Sequence, residues 1–242
     1  MKRTLRYCFL LLFLTPLVYT GCVKNNLSVG KIIVPPVIPS VADTLEKSYL
    51  ALGDSYTIGE GVSASERYPA QAGVLLRQKG IFFGSVEYIA QTGWTTSNLA
   101  GAIASKNPAN NYDLVTLMIG VNDQYQKNDT TGYRANFTNL LETSIRLAAS
   151  KRSRVIVLSI PDYGITSFGA GLPNIGIQID AFNAINKSVT MAYDVAYLDI
   201  TQISRMAANL PGYILGSGPH FTGAEYGLWA APLADLIVKA LK

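Results

Sequence analysis

The chain has 242 residues, of which 20 are basic and 16 are acidic, so its formal net charge is +4. Most of that excess lies at the start: without Lys2, Arg3 and Arg6 the counts are 17 and 16, and residues 48–242 hold 14 of each. Because no basic excess remains in residues 48–242, we expect neither nucleic acid nor an anionic membrane surface to bind this part of the chain.

The first 22 residues have the pattern of a secretory signal. The three basic residues precede an apolar segment, Cys8–Val18, which is shorter than the roughly 20 residues of a membrane-spanning helix. The segment Val18–Cys22 resembles a bacterial lipobox, in which the cysteine becomes the acylated first residue of the mature protein. We therefore expect an exported lipoprotein, periplasmic or at the cell surface, that is held on a bacterial membrane by Cys22. Plain secretory cleavage beside an incidental cysteine is the alternative.

Residues 23–47 have the composition of a tether rather than of a packed core. Three prolines, Pro35, Pro36 and Pro39, lie among scattered valines and isoleucines, and proline favours an extended, semi-rigid path. This stretch is predicted to hold a globular domain away from a membrane. A short edge strand over residues 31–34 is the alternative reading.

From residue 48 onward, short apolar runs alternate with longer segments of helical periodicity. The apolar runs predict five strands, at Tyr49–Leu52, Val86–Ala90, Leu114–Ile119, Val155–Ile160 and Val195–Leu198. The periodic segments predict helices at Pro69–Gly80, Ser97–Ser105, Tyr133–Ala149, Ile177–Ala192 and Gln202–Asn209, and a last helix that begins at Thr222. This alternation predicts one α/β domain, residues 48–242, with three layers and a parallel sheet.

The last helix carries two further local signals. Thr222 and Glu225 have the spacing of a capping box, in which each side chain bonds the backbone N–H of the other residue. Pro232 lacks a backbone N–H and predicts a kink or a restart of the helix.

Small and polar residues follow three of the predicted strands. Ser55 comes after the first strand, Gly93 after the second and Asn122 after the third, while His220 lies beyond the fifth. Because the carboxyl ends of parallel strands share one edge of the sheet, we expect these residues to converge there. His220 is the single histidine of the chain, so any imidazole base must be this residue.

These residues carry a resemblance to a known family. Gly53-Asp54-Ser55, Gly93, Gly120-Val121-Asn122-Asp123 and His220 occur in the order of the four sequence blocks of the GDSL or SGNH hydrolases. The resemblance implies a doubly wound, flavodoxin-like sheet of five strands and ester hydrolysis through an acyl-enzyme. It assigns the nucleophile to Ser55 and the base to His220, and the oxyanion donors to the backbone N–H groups of Ser55 and Gly93 and the Asn122 amide.

One position departs from the family pattern. The family places an aspartate three residues before the histidine to orient it, and Ser217 stands there instead. Three hypotheses follow: a Ser-His dyad oriented by Ser217 or a backbone carbonyl, which we favour; a substitute carboxylate such as Asp162 or Asp199; or impaired catalysis with binding retained. A hydroxyl accepts a hydrogen bond from imidazole but supplies no charge to stabilise imidazolium.

The sequence thus predicts a serine esterase of the bacterial lipoprotein type that acts on small acyl esters, with deacetylation of carbohydrate as the leading function. The aromatic residues Tyr56, Trp94, Tyr125 and Tyr163 follow the strand ends and suit a sugar-binding cleft. A lysophospholipase or short-chain lipase is the enzymatic alternative, and a glycan-binding protein on an impaired hydrolase scaffold is the alternative from another class. No cofactor is expected, and no metal site, because ligand spacing is lacking.

Overall fold

The computed structural model describes residues 46–241, and the chain there forms an α/β domain around a five-stranded sheet. The strands are β1 (Tyr49–Gly53), β2 (Glu87–Ala90), β3 (Leu114–Met118), β4 (Val155–Leu158) and β5 (Ala196–Leu198). All neighbouring pairs are parallel and the order is β2-β1-β3-β4-β5. This is the doubly wound, flavodoxin-like order, so the predicted fold class is confirmed.

Burial of the strands explains their sequences. Every residue of β1, β3 and β4 is buried, because helices cover both faces of the sheet at its centre. The edge strands β2 and β5 are only partly buried. The three central strands therefore read as continuous apolar runs, and their carboxyl ends present the next residues of the chain at one edge.

Eight α-helices connect the strands of residues 46–241 and cover the sheet. Helix α2 packs against α8, while α3 and α6 both pack against α5. The helices are α1 (Ser55–Ile58), α2 (Tyr68–Gln78), α3 (Thr96–Lys106), α4 (Val121–Gln126), α5 (Thr130–Leu147), α6 (Ile175–Ala192), α7 (Thr201–Met206) and α8 (Gly223–Ala240). Within residues 46–241, none of these helices combines the length and the apolar character needed to span a bilayer.

Two short helices occur where the sequence predicted no helix. Helix α1 has one turn and begins at Ser55, and α4 begins directly after Gly120. Both follow a central strand without a connecting loop. Ser55 and Asn122 therefore lie in the first turns of helices, where the backbone fixes their position.

The capping box predicted for the last helix is wrong. Thr222 is the N-cap of α8, but its hydroxyl donates to the Gly212 carbonyl at 2.8 Å instead of forming a capping box. Glu225 is fully buried, and its Oε1 accepts a bond from Trp229 Nε1 at 2.8 Å. The indole N–H needs an acceptor inside the core, and this requirement outweighs the local cap. The helix also continues through Pro232 without a restart.

The domain begins slightly earlier than predicted. The Lys47 backbone N–H donates to the Phe82 carbonyl at 2.9 Å, and Lys47 forms an isolated parallel bridge with Phe83. Lys47 therefore belongs to the domain rather than to the tether. The predicted signal peptide, the acylated Cys22, the remainder of the tether and the alternative strand over residues 31–34 lie outside the described residues.

Candidate active site

Ser55 occupies a tight junction between the first strand and the first helix. Strand β1 ends at Gly53, and Asp54 caps α1 by accepting the Tyr56 N–H at 3.0 Å. A side chain at Gly53 would not fit, because its Cβ would lie 2.5 Å from the Met118 carbonyl oxygen. The sharp turn leaves Ser55 only 4% exposed, with its side chain on the wall of a cleft.

The structure brings His220 to Ser55 although 164 residues separate them. His220 Nε2 lies 2.8 Å from Ser55 Oγ, a normal hydrogen-bond distance. Two contacts with Tyr56 hold the histidine loop: its hydroxyl donates to the Pro219 carbonyl at 2.9 Å, and its ring lies 5.1 Å from the imidazole. Tyr56 lines the cleft as predicted, and its buried side chain also supports the histidine.

Burial sets the protonation state of the imidazole. Removal from water disfavours the charged form and lowers the pKa of His220 below its ordinary value of 6.5. At neutral pH the ring is therefore mainly neutral. In the tautomer with hydrogen on Nδ1, Nε2 accepts the hydrogen bond from the Ser55 hydroxyl.

Gly93 and Asn122 line the same cleft as Ser55 and His220. Within residues 46–241, no acceptor takes the backbone N–H of Ser55 or that of Gly93. The Asn122 amide donates one of its two hydrogens to the Trp94 carbonyl at 3.1 Å, which fixes its orientation and leaves the second hydrogen. The two backbone N–H groups and the second amide hydrogen of Asn122 thus have no acceptor within residues 46–241. They belong to residues that line the cleft and can donate to a substrate oxygen.

Side-chain hydrogen bonds fix the relative positions of the segments that carry these donors. Asp123 accepts hydrogen bonds from the backbone N–H of Thr96, at 2.9 Å, and from its hydroxyl, at 2.6 Å. This ties α4 to the start of α3. Gln126 adds a bond from its amide to the Gly93 carbonyl at 3.1 Å. The left-handed backbone of Gly93, with φ of 79°, suits glycine at the turn before α3.

None of the predicted orienting groups reaches His220. Ser217 is exposed and, within residues 46–241, neither its hydroxyl nor any carbonyl accepts a bond from Nδ1. Asp162 pairs with Arg205 at 2.9 Å, and Asp199 accepts the Thr201 N–H at 3.0 Å. These carboxylates are used to fix the loops after β4 and β5. The Ser-His pair thus lacks the bonded orienter that we expected.

The cleft has a volume of about 220 Å³, and the predicted aromatics Tyr125 and Tyr163 line it together with Phe168, which was not predicted. Tyr125, Tyr163 and Phe168 form a mutual cluster with ring centroids 5.8 to 6.3 Å apart. Tyr125 is 54% and Phe168 40% exposed, so the cluster presents an apolar rim. Phe168 lies in a glycine-rich loop with no pattern to mark it, and the predicted Trp94 does not line the cleft.

Residues 46–241 contain no group of side chains suited to a metal ion, that is, no group of three or more histidine, cysteine, aspartate or glutamate residues.

The profile of the GDSL-like Lipase/Acylhydrolase family matches residues 51–228. A sequence comparison with curated proteins found no match.

Solved structures share the fold at low sequence identity. A lipase/acylhydrolase from Enterococcus faecalis is 21% identical with a TM-score of 0.61, over 81% of this chain and 97% of the other. A psychrotrophic esterase from Pseudoalteromonas sp. is 15% identical with a TM-score of 0.58, over 80% and 98%. An acetyl-xylooligosaccharide esterase from Geobacillus Stearmophilus is 19% identical with a TM-score of 0.60, over 79% and 94%.

Proposed function

Because the chain belongs to the GDSL-like lipase/acylhydrolase family, we propose that it hydrolyses small acyl esters through an acyl-enzyme formed on Ser55. The observation that carries this proposal is the 2.8 Å contact between Ser55 Oγ and the neutral imidazole of His220 in an open cleft. A free serine is a weak nucleophile, and an imidazole at this distance removes its proton as the attack proceeds.

The reaction has two steps, acylation of Ser55 and hydrolysis of the acyl-enzyme, and in each step His220 accepts a proton and then returns one. Ser55 Oγ attacks the ester carbonyl while His220 Nε2 takes the hydroxyl proton, and collapse of the tetrahedral intermediate breaks the bond to the alcohol, which leaves with that proton. Water then attacks the acyl-serine, and His220 takes a proton from the water and returns one to Ser55 Oγ. The products are the carboxylic acid and the alcohol.

The oxyanion of each tetrahedral intermediate needs preorganised donors. We assign this role to the backbone N–H groups of Ser55 and Gly93 and to the free amide hydrogen of Asn122. Their support is that no acceptor within residues 46–241 takes either N–H group and that all three residues line the cleft beside the nucleophile. These donors need no reorganisation when charge develops.

An acetylated carbohydrate is the substrate class that we favour. A cleft of about 220 Å³ is below the usual range for drug-sized ligands, which suits a short acyl group. The faces of Tyr125 and Phe168 offer stacking surfaces for a sugar ring at the rim. The same exposed rings also suit an acyl chain, and this observation keeps a lysophospholipase or short-chain lipase as the second candidate.

The experiment compares initial rates on nitrophenyl esters of increasing acyl length, on lysophospholipid and on acetylated xylo-oligosaccharides. We expect the highest kcat/KM for acetyl esters and complete loss of turnover in Ser55→Ala. Faster turnover of long-chain esters or lysophospholipid supports the second candidate instead. Equal inactivity of wild type and Ser55→Ala, together with retained binding of glycan, would leave the binding-protein alternative.

We also propose that the protein is exported and held on a bacterial membrane through acylated Cys22, with residues 23–46 as its tether. The support is the basic and apolar signal pattern and the resemblance of Val18–Cys22 to a lipobox. Metabolic labelling with a fatty-acid probe is expected to mark the wild-type chain and to lose that mark in Cys22→Ala. Labelling that persists in the variant contradicts the assignment.

A further inference from the structure

Glu60 connects the nucleophile turn to the loop that carries Gly93. Its backbone N–H donates to the Ser55 carbonyl at 2.9 Å, directly after the left-handed cap residue Gly59. Its carboxylate accepts a hydrogen bond from the hydroxyl of Thr92, the residue before Gly93. One side chain therefore contacts both segments that would surround a tetrahedral intermediate.

Glu60 also lies beside the region behind the imidazole. Glu60 lines a shallow depression together with Ser217, Gly218 and His220, and His220 also lines the cleft. A Cβ placed on Gly218 would lie 3.9 Å from His220 Nδ1, so the nitrogen that does not contact Ser55 lies near Gly218, which lines this depression. The position of Ser217, where the family has an acid, opens onto the same depression.

The negative charge of Glu60 affects the pKa of His220. Glu60 is the carboxylate whose negative charge favours the protonated imidazole and so raises the pKa of His220, against the larger effect of burial. The Tyr56 ring, whose centroid lies 5.1 Å from that of the imidazole, carries no charge at neutral pH. Glu60 is partly exposed, so water weakens its field without removing it.

We propose that Glu60 is a positioning residue of this site, which joins the nucleophile turn to the Gly93 loop and supplies through space the negative charge that Ser217 cannot supply. The proposal rests on the proposed esterase function. It explains how an imidazole without a bonded acid is stabilised in its protonated form during turnover. A charge without a direct hydrogen bond stabilises less than the bonded aspartate of a complete triad.

The single histidine permits a test that does not depend on activity. The imidazole C–H resonance of the untagged protein titrates with pH and reports the pKa of His220 without overlap. Glu60→Gln keeps the shape and the bond to Thr92 but removes the charge. We expect the midpoint of the titration to fall by several tenths of a pH unit in Glu60→Gln, and to stay near the wild-type value in Glu60→Asp.

Kinetics provide the second readout. For Glu60→Gln we expect kcat/KM on an acetyl ester to fall about twofold to fourfold, mostly in kcat, with the acidic limb of the pH profile moved to lower pH. Addition of Ser217→Asp to Glu60→Gln is expected to restore part of the loss. Glu46→Gln is the matched control, because Glu46 precedes β1 at the opposite edge of the sheet.

The two readouts separate the two proposals. An unmoved histidine titration in Glu60→Gln, or a loss equal to that of Glu46→Gln, overturns the role of Glu60. An increase in kcat in Glu60→Gln also overturns it, because the negative charge of Glu60 would then destabilise the oxyanion rather than stabilise the protonated imidazole. If wild type hydrolyses no ester while the titration still shifts in Glu60→Gln, the esterase proposal has failed and the electrostatic contact between Glu60 and His220 stands.

Discussion

The hydrogen bond between Ser55 and His220 joins a buried hydroxyl to an imidazole that burial keeps neutral. Neutrality is needed for the base to accept a proton, but the same burial opposes the imidazolium that forms next. A complete triad balances this cost with a bonded carboxylate. Here the second ring nitrogen has no acceptor within residues 46–241, so the surrounding charges decide the balance.

The pH dependence follows from the direction of this shift. The base works only when neutral, and the pKa of His220 is lowered, so activity is lost only when the pH falls below that lowered pKa. We expect the acidic limb of kcat/KM to have its midpoint below pH 6.5. Initial rates on a neutral ester between about pH 4.5 and pH 8 measure it, and a midpoint above about pH 7 contradicts this expectation.

Asn122 offers a second test at the residue scale. Truncation to alanine removes one oxyanion donor, which typically costs a factor of about 10² to 10³ in kcat, while the fold keeps its other contacts. We expect Asn122→Ala to lose activity with a nearly unchanged melting temperature. Asn139→Ala, an exposed change on α5, is the control and should keep full activity. Near wild-type kcat in folded Asn122→Ala would exclude the assigned role.

At the scale of elements, the site depends on strands that pass into helices without loops. Gly53 ends β1 where no side chain fits, and Gly120 ends the segment after β3 with a φ of 133° and with Tyr133 packed against its Cα. These two glycines allow Ser55 and Asn122 to begin α1 and α4 at the edge of the sheet. Precise turns of this kind, rather than long loops, position the reacting groups.

A pair of glycine substitutions tests this dependence. Gly53→Ala forces a Cβ against the Met118 carbonyl, and we expect a loss of about 3 kcal/mol or more in the free energy of unfolding. Gly73→Ala is the matched control, because a Cβ there meets nothing within 4 Å in the interior of α2. Alanine should stabilise that helix by about 0.5 to 1 kcal/mol. Denaturant titration measures both, and equal stability of the two variants would contradict the account.

Some of the strands and helices could be predicted from the sequence, and others could not. The three central strands were predictable because burial on both faces leaves uninterrupted apolar runs. Each of the five predicted strands differs from the structure by one or two residues at one end. Helices α1 and α4 were missed because one or two turns hold too few residues to show a period. The capping box at Thr222 was wrong because Trp229 requires the Glu225 carboxylate inside the core, a contact that no local pattern encodes.

In the site too, some residues were predictable from the sequence and others were not. Ser55, Gly93, Asn122 and His220 were found because strand ends in a parallel sheet converge, and the structure places all four on one cleft. The orienting group was not found. Its candidates were chosen by residue type, whereas the position of Glu60 depends on the turn after α1 and on a contact with Thr92.

At the scale of the whole domain, buried carboxyl groups make stability depend on pH. Burial raises the pKa of Asp54 and of Glu225 to about 7, and each has an oxygen with no partner among residues 46–241. Between their ordinary values near 4 and about 7, the folded protein binds more protons than the unfolded chain. Stability is therefore greatest below this window and falls as the pH rises through it.

This linkage predicts the effect of pH on melting. We expect the melting temperature to be higher near pH 5 than near pH 8, by about 2 °C or more. Glu225→Gln keeps an acceptor for Trp229 but cannot ionise, so it should reduce this difference. Thermal unfolding followed by circular dichroism at both pH values measures it. A difference of the same size in the variant would show that Glu225 does not contribute.

Covalent trapping tests the central claim most directly. A fluorophosphonate probe reacts preferentially with a serine activated as a nucleophile, and its adduct mimics the tetrahedral intermediate. Intact-mass and peptide-mass measurements should find one adduct per chain, located on Ser55, absent in Ser55→Ala and formed far more slowly in His220→Ala. No adduct on the folded wild-type protein, or an adduct on another residue that abolishes turnover, would contradict catalysis by Ser55.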